Sequence, residues 1–176
     1  MLDLLPVGNV DEQLLQKLAP MLADTLRVPC RIRRRENGLD PKFAFHPERG
    51  QYHSSEILQA MQGHVKGAWR VLGVTGVDLY IPILTFVFGE AQMGGPCSVV
   101  SYQRLRQEFY GLPADEDLLL NRLAKEAVHE VGHTLDLTHC RDYSCAMAPS
   151  HAVEWIDLKE SALCGNCAAR VMEVVE

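Results

Sequence analysis

The order of apolar and polar residues predicts two helices in the first half of the chain. Leucines recur with helical spacing through residues 11–26, where Pro20 is expected to introduce a kink. A second helix is expected from Glu56 to about residue 66, with Ser54 as its cap. Each segment has one apolar side, so each is expected to pack that side against a core.

The longest amphipathic pattern lies in the second half of the chain. Pro113 interrupts the preceding segment, and Asp115 is placed to cap a helix whose first turn is acidic. Apolar residues three and four positions apart form one stripe along this helix: Leu120, Leu123, Ala124, Ala127, Val128 and Val131. A last helix is expected from Asp157 to about residue 174, with Glu160 completing a capping box.

Segments rich in β-branched and aromatic residues predict strands over residues 29–35, 71–80, 85–89 and 97–102. In the first of these, Cys30 and Ile32 are expected to face inward while the arginines alternate outward. Residues 36–52 contain an Asn-Gly pair and two prolines, which is typical of an extended loop. The order of helices and strands predicts an α+β (mixed α/β) fold.

The length of 176 residues fits a single domain, here residues 1–176, divided into two lobes. Residues 1–135 would form an N-terminal lobe that includes the long helix, and residues 136–176 a small C-terminal lobe. Four of the six cysteines and four of the seven histidines lie in the last 48 residues. This concentration of metal-ligand residue types at one end is the first indication of the chemistry.

The charge balance argues against several classes of function. Lysine and arginine number 17 against 23 aspartate and glutamate residues, a net charge of −6, so the overall field does not favour nucleic acid or anionic membrane. The longest apolar run, residues 77–88, is shorter than the ~20 residues that a membrane-spanning helix needs. The first residues include Asp3 and no basic side chain, unlike a secretory signal. We therefore expect a cytoplasmic protein that binds neither membrane nor nucleic acid.

The strongest motif is the H-E-x-x-H sequence formed by His129, Glu130 and His133. On a helix the two histidines differ by about 40° around the axis, so both imidazoles can reach one ion, while Glu130 lies beside it as a candidate general base. His139 follows six residues after His133. Three histidine ligands that leave one position open to water are typical of catalytic zinc.

Asp136 complicates the assignment of the third ligand. The chain must leave the helix near this residue to return His139 to the ion, through a left-handed conformation that glycine adopts most easily and aspartate tolerates. Asp136 also lies one turn after His133, so its own carboxylate is a competing third ligand. The spacing favours His139.

A second set of ligands consists of Cys140, Cys145, Cys164 and Cys167, in two close pairs. Four thiolates in this pattern form a closed, tetrahedral zinc site with a structural role. Two disulfides, or a redox-active pair at the C-x-x-C, are the alternatives. The remaining cysteines, Cys30 and Cys97, lie in apolar strand-like segments and are expected to be buried thiols.

The two sets of ligands adjoin one another in the sequence. His139 is followed directly by Cys140, and Met147 comes two residues after Cys145. A cysteine-bound zinc would hold both ends of the loop that leaves the long helix. We therefore predict that it keeps His139 in place and presents Met147 beneath the catalytic ion.

This C-terminal segment of about 40 residues resembles the archaemetzincin family of metzincin zinc peptidases. The resemblance rests on the H-E-x-x-H, on the pair His139-Cys140, on Cys145-x-Met147 and on the final C-x-x-C. It implies a compact metzincin fold with a twisted sheet, a Met-turn at Met147 and two zinc ions per chain, one catalytic and one structural. The family's usual glycine is Asp136 here. The resemblance also implies an edge strand above the zinc that binds extended substrate, with residues 85–92 as its counterpart.

The leading functional hypothesis is therefore a zinc metallopeptidase that acts on peptide or protein substrates, as a monomer. Zinc would activate a water molecule, and Glu130 would take its proton and pass it to the leaving amine. The resemblance leaves aminopeptidase-like action open, because some relatives act in that way, and the sequence does not decide between endo- and exopeptidase action. Glu90 could bind a free amino terminus but is interpreted as a solvated strand carboxylate. The alternatives are a zinc-binding protein without peptidase activity and a nucleic-acid module built on the four cysteines and the arginines of residues 31–35.

Overall fold

The computed structural model describes residues 1–175, so Glu176, the last residue of the predicted C-terminal lobe, lies outside the described residues. The fold is mixed α/β, as predicted. Its helices are α1 (Glu12–Leu26), α2 (Ser54–Met61), α3 (Glu116–Thr134), α4 (Val153–Leu158) and α5 (Gly165–Val175). Its strands are β1 (Leu2–Val7), β2 (Cys30–Ile32), β3 (Phe45–His46), β4 (Gln51–His53), β5 (Arg70–Thr75), β6 (Leu79–Tyr80), β7 (Gly89–Ala91) and β8 (Cys97–Ser101).

The main sheet has five strands in the order β2-β1-β5-β8-β7. The first four are parallel to one another, while β7 runs antiparallel to β8 and forms one edge of the sheet. The strands β3, β4 and β6 form a separate small sheet. Helix α3 packs against α1 and against β8 and β7, so its C-terminal half lies beneath the edge strand. No helix in residues 1–175 is both long and apolar enough to cross a membrane.

The interior strand β1 is absent from the sequence-based prediction. All six of its residues are buried because it lies between two parallel strands, and such strands lack the alternation that marks a half-exposed strand. Asp3 on this strand is fully buried and accepts hydrogen bonds from Arg31 at 2.9 and 2.6 Å and from Arg33 at 2.6 Å. Arg31 is exposed, as predicted, with 48% of its side chain accessible, and Arg33 is half-buried, but both of their charges are paired with the buried Asp3 carboxylate.

Helices α1 and α3 both begin at an aspartate cap, and the cap of α3 is the one predicted, Asp115. The side chain of Asp11 accepts a hydrogen bond from the Gln13 amide at 2.9 Å, and that of Asp115 accepts one from the Leu118 amide at 2.9 Å. Both bonds satisfy amides that have no partner within the first helical turn. The apolar stripe of α3 is buried in the main core.

Several other boundaries differ from the prediction. Residues 36–52 contain short 3-10 turns and the hairpin of β3 and β4. The strand predicted over residues 71–80 is two strands, β5 and β6, and the one predicted over residues 85–89 begins only at Gly89. The single last helix is divided into α4 and α5. Its predicted capping box is wrong because Asp157 lies inside α4, where its carboxylate pairs with Arg122 at 2.7 Å.

Candidate active site

The structure brings together the three histidines predicted as zinc ligands. His129 and His133 lie on the last two turns of α3, with their Nε2 atoms 3.0 Å apart. One ring nitrogen of each, together with one of His139, falls within 4.8 Å of the others. Asp136, the competing third ligand, is not part of this group.

The end of α3 explains how His139 returns to the other two histidines. The Leu135 and Leu137 amides both donate to the Gly132 carbonyl, at 3.0 and 3.1 Å, which closes the last turn tightly. Asp136 has a φ of 60°, the left-handed conformation predicted at this position. The chain reverses there because aspartate tolerates this conformation better than most residues with a Cβ.

Hydrogen bonds fix the tautomers of the two helical histidines. The Nδ1–H of His129 donates to the Ala146 carbonyl at 2.9 Å, and that of His133 donates to the Leu137 carbonyl at 2.7 Å. A carbonyl oxygen only accepts, so each Nε2 carries a lone pair, and both lone pairs meet at the 3.0 Å contact. Two facing lone pairs repel unless a cation lies between them. This donor set therefore fits a metal ion.

Burial favours the neutral, metal-binding form of these rings. It lowers the pKa of His129 well below the ordinary value, and the nearby Lys159 ammonium and His133 act in the same direction. Burial also lowers the pKa of His133 and of His139. Neutral imidazoles with paired Nδ1 atoms are the form in which histidine binds zinc.

Glu130 lies beneath the edge strand β7. A Cβ atom at Gly89 would be only 2.6 Å from Glu130 Cγ and 2.6 Å from the Val99 carbonyl oxygen, so this approach requires glycine. Burial raises the pKa of Glu130 well above the ordinary carboxyl value, and the carboxylates of Glu126 and Glu90 add to the shift. A carboxylate whose pKa is raised is a stronger proton acceptor, which suits it to exchanging protons.

A cleft of about 350 Å³ opens over these side chains. One wall is formed by residues 84–89, the floor includes His129, Glu130 and His139, and residues 149–151 form the other wall. The edge strand predicted over residues 85–92 is realised only as β7, Gly89–Ala91, whose outer side pairs with no strand in the described part of the chain.

The four C-terminal cysteines form a second cluster, with their Sγ atoms within 4.8 Å of one another. The thiols are free, and Cys140 Sγ lies 3.8 Å from Cys164 Sγ. Cys145 Sγ accepts from the amides of Cys164 at 3.3 Å and Met147 at 3.5 Å. Burial raises the pKa of Cys145 and Cys167, so several thiolates at this position need a cation among them.

The two remaining cysteines lie apart from this cluster. Cys97 is fully buried on β8, and Cys30 is half-buried on β2. Burial raises the pKa of each thiol to about 11. Neither belongs to a group of potential metal ligands in residues 1–175; Cys97 is the buried thiol that the sequence predicts, whereas Cys30 is only partly buried.

Met147 is fully buried against α3. The Cys140 amide donates to its carbonyl at 2.9 Å, which ties the start of the cysteine loop to its end. A Cβ atom at Gly132 would collide with the Met147 sulfur, so the glycine of the H-E-x-x-H allows the close packing. The loop, the methionine and the histidine helix thus form one packed unit.

The buried side chains of Lys159 and Glu126, near the site, were not predicted from the sequence. Lys159 Nζ donates to the Ala146 and Ala148 carbonyls at 3.1 and 3.0 Å and lies 2.8 Å from Glu126 Oε1. The side chain of Lys159 is 1% exposed and that of Glu126 is 4% exposed. The one signal in the sequence was that Glu126 lies four residues before Glu130, on the same face of α3.

Glu90 is the other residue whose interpretation changes. Its carboxylate accepts hydrogen bonds from the hydroxyls of Ser54 and Ser55, the latter at 2.8 Å, so it is not a freely solvated strand carboxylate. Ser54 is the first residue of α2 rather than its cap, and its hydroxyl also lies 3.2 Å from the Tyr80 carbonyl. The start of α2 is thereby fastened to the edge strand of the cleft.

Comparison with known proteins gives consistent results. Residues 14–173 match the model of peptidase family M54. The archaemetzincin of Methanocaldococcus jannaschii is 39% identical over 169 residues, which cover 96% of this chain and 90% of that protein. A zinc-dependent peptidase structure from Methanocorpusculum labreanum has a TM-score of 0.87 at 30% identity, covering 97% of this chain and 100% of that one. The archaemetzincin structure from Methanopyrus kandleri has a TM-score of 0.85 at 32% identity, covering 99% and 95%.

Proposed function

The chain belongs to peptidase family M54, the archaemetzincins, and is a zinc metallopeptidase; from this premise we propose that His129, His133 and His139 hold the catalytic zinc and that Glu130 is the general base. The observation that carries the proposal is the convergence of three ring nitrogens next to a cleft that is lined by two of these histidines and by the buried Glu130 carboxylate. A zinc-binding protein without peptidase activity is not favoured by the family match.

The imidazole rings of His129 and His133 are held in a metal-binding orientation before any metal binds. Their Nδ1–H groups are engaged by the Ala146 and Leu137 carbonyls, which leaves the Nε2 lone pairs directed at a common point. When bound, zinc supplies a Lewis acid that polarises a carbonyl group and lowers the pKa of a coordinated water to about 7. Three nitrogen ligands leave room for that chemistry, whereas a fourth protein ligand would close the site.

Glu130 is proposed to hold and move the proton. Its position beneath Gly89 places the carboxylate at the cleft, and its raised pKa makes it a stronger proton acceptor than an ordinary carboxylate, one that can take a proton and pass it to a leaving amine. Glu126 and Glu90 support this role because their negative charges oppose the ionisation of Glu130. Lys159 acts in the opposite direction and limits the shift.

The edge strand β7 is proposed to bind the substrate backbone. Family membership implies peptide or protein substrates, and an extended peptide can add a strand to a free sheet edge through main-chain hydrogen bonds. The free side of Gly89–Ala91 borders the cleft that contains Glu130. The absence of a side chain at Gly89 would let a substrate strand approach the carboxylate closely.

The four-cysteine cluster is proposed to hold a second, structural zinc ion. Its Sγ atoms lie close together and accept amide hydrogen bonds, as metal-bound thiolates do. Cys140 directly follows His139, so this zinc would fix the third histidine, and Met147 would form the Met-turn under the site. Thiols that must stay reduced to bind zinc favour a cytoplasmic location.

The test is Glu130→Gln, which keeps the shape of the side chain and removes its capacity as a base. We expect hydrolysis of a peptide library to fall at least about a hundredfold, the scale of general-base catalysis, while elemental analysis finds the zinc content unchanged. Glu116→Gln, on the exposed first turn of the same helix, is the matched control. Undiminished turnover in Glu130→Gln would exclude the proposed role.

A further inference from the structure

A third group of metal-ligand side chains lies outside the cleft. It consists of His46 at the end of β3, His53 at the end of β4 and Glu56 in the first turn of α2. One ligand atom from each falls within 4.8 Å of the others. None of these residues takes part in the proposed peptidase site.

Two distances within this group, one to each oxygen of the Glu56 carboxylate, are close to the ligand separation that a small cation imposes. His46 Nε2 lies 3.2 Å from Glu56 Oε2, and His53 Nδ1 lies 3.7 Å from Glu56 Oε1. Two ligands of a tetrahedral zinc ion, each about 2.1 Å from the metal, are about 3.4 Å apart. Each histidine nitrogen therefore lies within about 0.3 Å of the separation from a Glu56 oxygen that a shared ion would require.

The scaffold holds both imidazoles in place. His46 pairs with Gln51 across the hairpin, and His53 pairs with Tyr80 of β6. The buried Tyr80 ring stacks on His53 at 5.2 Å between centroids and meets the edge of His46 at 5.6 Å. Two strands and one helix thus present the ligands from fixed positions, which reduces the entropy lost on binding a metal.

Solvent can reach the group. The side chains of His46, His53 and Glu56 are 44%, 21% and 41% exposed. An ion could therefore enter from bulk water, and water could complete its coordination. This arrangement differs from the four-cysteine cluster, in which the protein itself can supply every ligand.

We propose that His46, His53 and Glu56 form a third metal site, which binds Zn²⁺ or a similar late first-row divalent cation through two nitrogens and one carboxylate. Nitrogen and oxygen donors in this ratio suit zinc, and three protein ligands leave at least one coordination position to water. The site adjoins the cleft indirectly. Ser54 and Ser55, between His53 and Glu56, hold the Glu90 carboxylate of the edge strand, so a bound ion would stiffen the turn that fastens α2 to β7.

The experiment compares zinc uptake by the full chain and its variants at pH 7.5, with free zinc buffered in the micromolar range. Equilibrium dialysis and elemental analysis should show one equivalent fewer in the His46→Ala/His53→Ala variant than in the parent protein. Glu56→Gln should weaken this last equivalent. The controls His64→Ala and Glu48→Gln change a histidine and a glutamate outside the group, and they should bind as the parent does.

The comparison measures a difference of one equivalent, so it does not depend on how many ions the other two sites hold. Equal uptake by the parent and the double variant would overturn the proposal, and so would an equal loss in His64→Ala. If the double variant is poorly folded, Glu56→Gln decides alone: unchanged zinc affinity would reject the site. The two sites are tested by different variants. Loss of peptidase activity in Glu130→Gln tests the proposed function, whereas the third zinc equivalent tests only the site at His46, so either result can fail without the other.

Discussion

Replacing Lys159 by methionine should strongly destabilise the protein, although the residue is not a proposed ligand or catalyst. Its ammonium group is buried among the Ala146 carbonyl, the Ala148 carbonyl and the Glu126 carboxylate. The two carbonyls flank Met147, and that of Ala146 also orients His129. Methionine keeps the length of the side chain and removes only the charge and the donors.

The magnitude follows from what the substitution leaves behind. Removing one partner of a buried ion pair costs about 3–5 kcal/mol, because the remaining charge has lost its compensation. The Ala146 carbonyl keeps the His129 donor, so its own loss is small, whereas the Ala148 carbonyl loses a donor at 3.0 Å. We therefore expect Lys159→Met to lower the free energy of unfolding by about 3–5 kcal/mol.

The assay is urea unfolding followed by tryptophan fluorescence, with every variant at the same buffered free zinc because bound metal itself adds stability. Adding Glu126→Gln to Lys159→Met should recover a large part of the loss, since the carboxylate that was paired with Lys159 is then removed as well. Lys17→Met, on the exposed face of α1, should change stability by less than about 0.5 kcal/mol. A loss below about 1 kcal/mol in Lys159→Met, or no recovery in the double variant, would refute this reasoning.

Three further predictions concern the cleft and its ligands. Gly89→Ala should lower kcat/KM at least about tenfold with zinc retained, because the new Cβ would displace the Glu130 side chain and so weaken proton transfer. Peptide hydrolysis measures kcat/KM, and elemental analysis measures the zinc content. Asp136→Gly should keep both zinc and activity, because glycine adopts a φ of 60° without strain. On chelation of zinc, thiol titration should release four reactive cysteines, because the ion that protects them is removed, while Cys97 reacts slowly because it is fully buried on β8.

Each of these has an outcome that contradicts it. Gly63→Ala, where an added Cβ meets nothing within 4 Å, is the control for Gly89→Ala, and equal activity of the two variants would remove the steric argument. Loss of zinc in Asp136→Gly, with zinc retained in His139→Ala, would make Asp136 the third ligand. Four thiols that stay protected after chelation would indicate disulfides in place of a metal cluster.

The parts of the fold that could be predicted are those specified by neighbouring residues. Asp115 and the apolar stripe after it predict where α3 begins and which of its sides is buried. The relative position of His129 and His133 depends only on the helical repeat. The reversal at Asp136 is similarly local, because it follows from the conformations that one residue tolerates. These features are correct in the structure for the reasons that predicted them.

The parts that could not be predicted depend on contacts between distant residues. The parallel pairing of β1 with β5 joins segments about 70 residues apart, and the local sequence of β1 does not predict it. The pairing of Lys159 with Glu126 and the capture of Glu90 by Ser55 are of the same kind. Each is a polar residue whose role is decided by what the fold places opposite it.

The peptide bond between His139 and Cys140 has a wider consequence. Consecutive Cα atoms are about 3.8 Å apart, so a movement of the Cys140 backbone also moves the backbone of His139. Oxidants react with thiols far more readily than with imidazoles. Oxidation of the four cysteines would therefore displace His139, the third proposed zinc ligand. The enzyme would lose activity under oxidative stress although none of its proposed catalytic groups is itself easily oxidised.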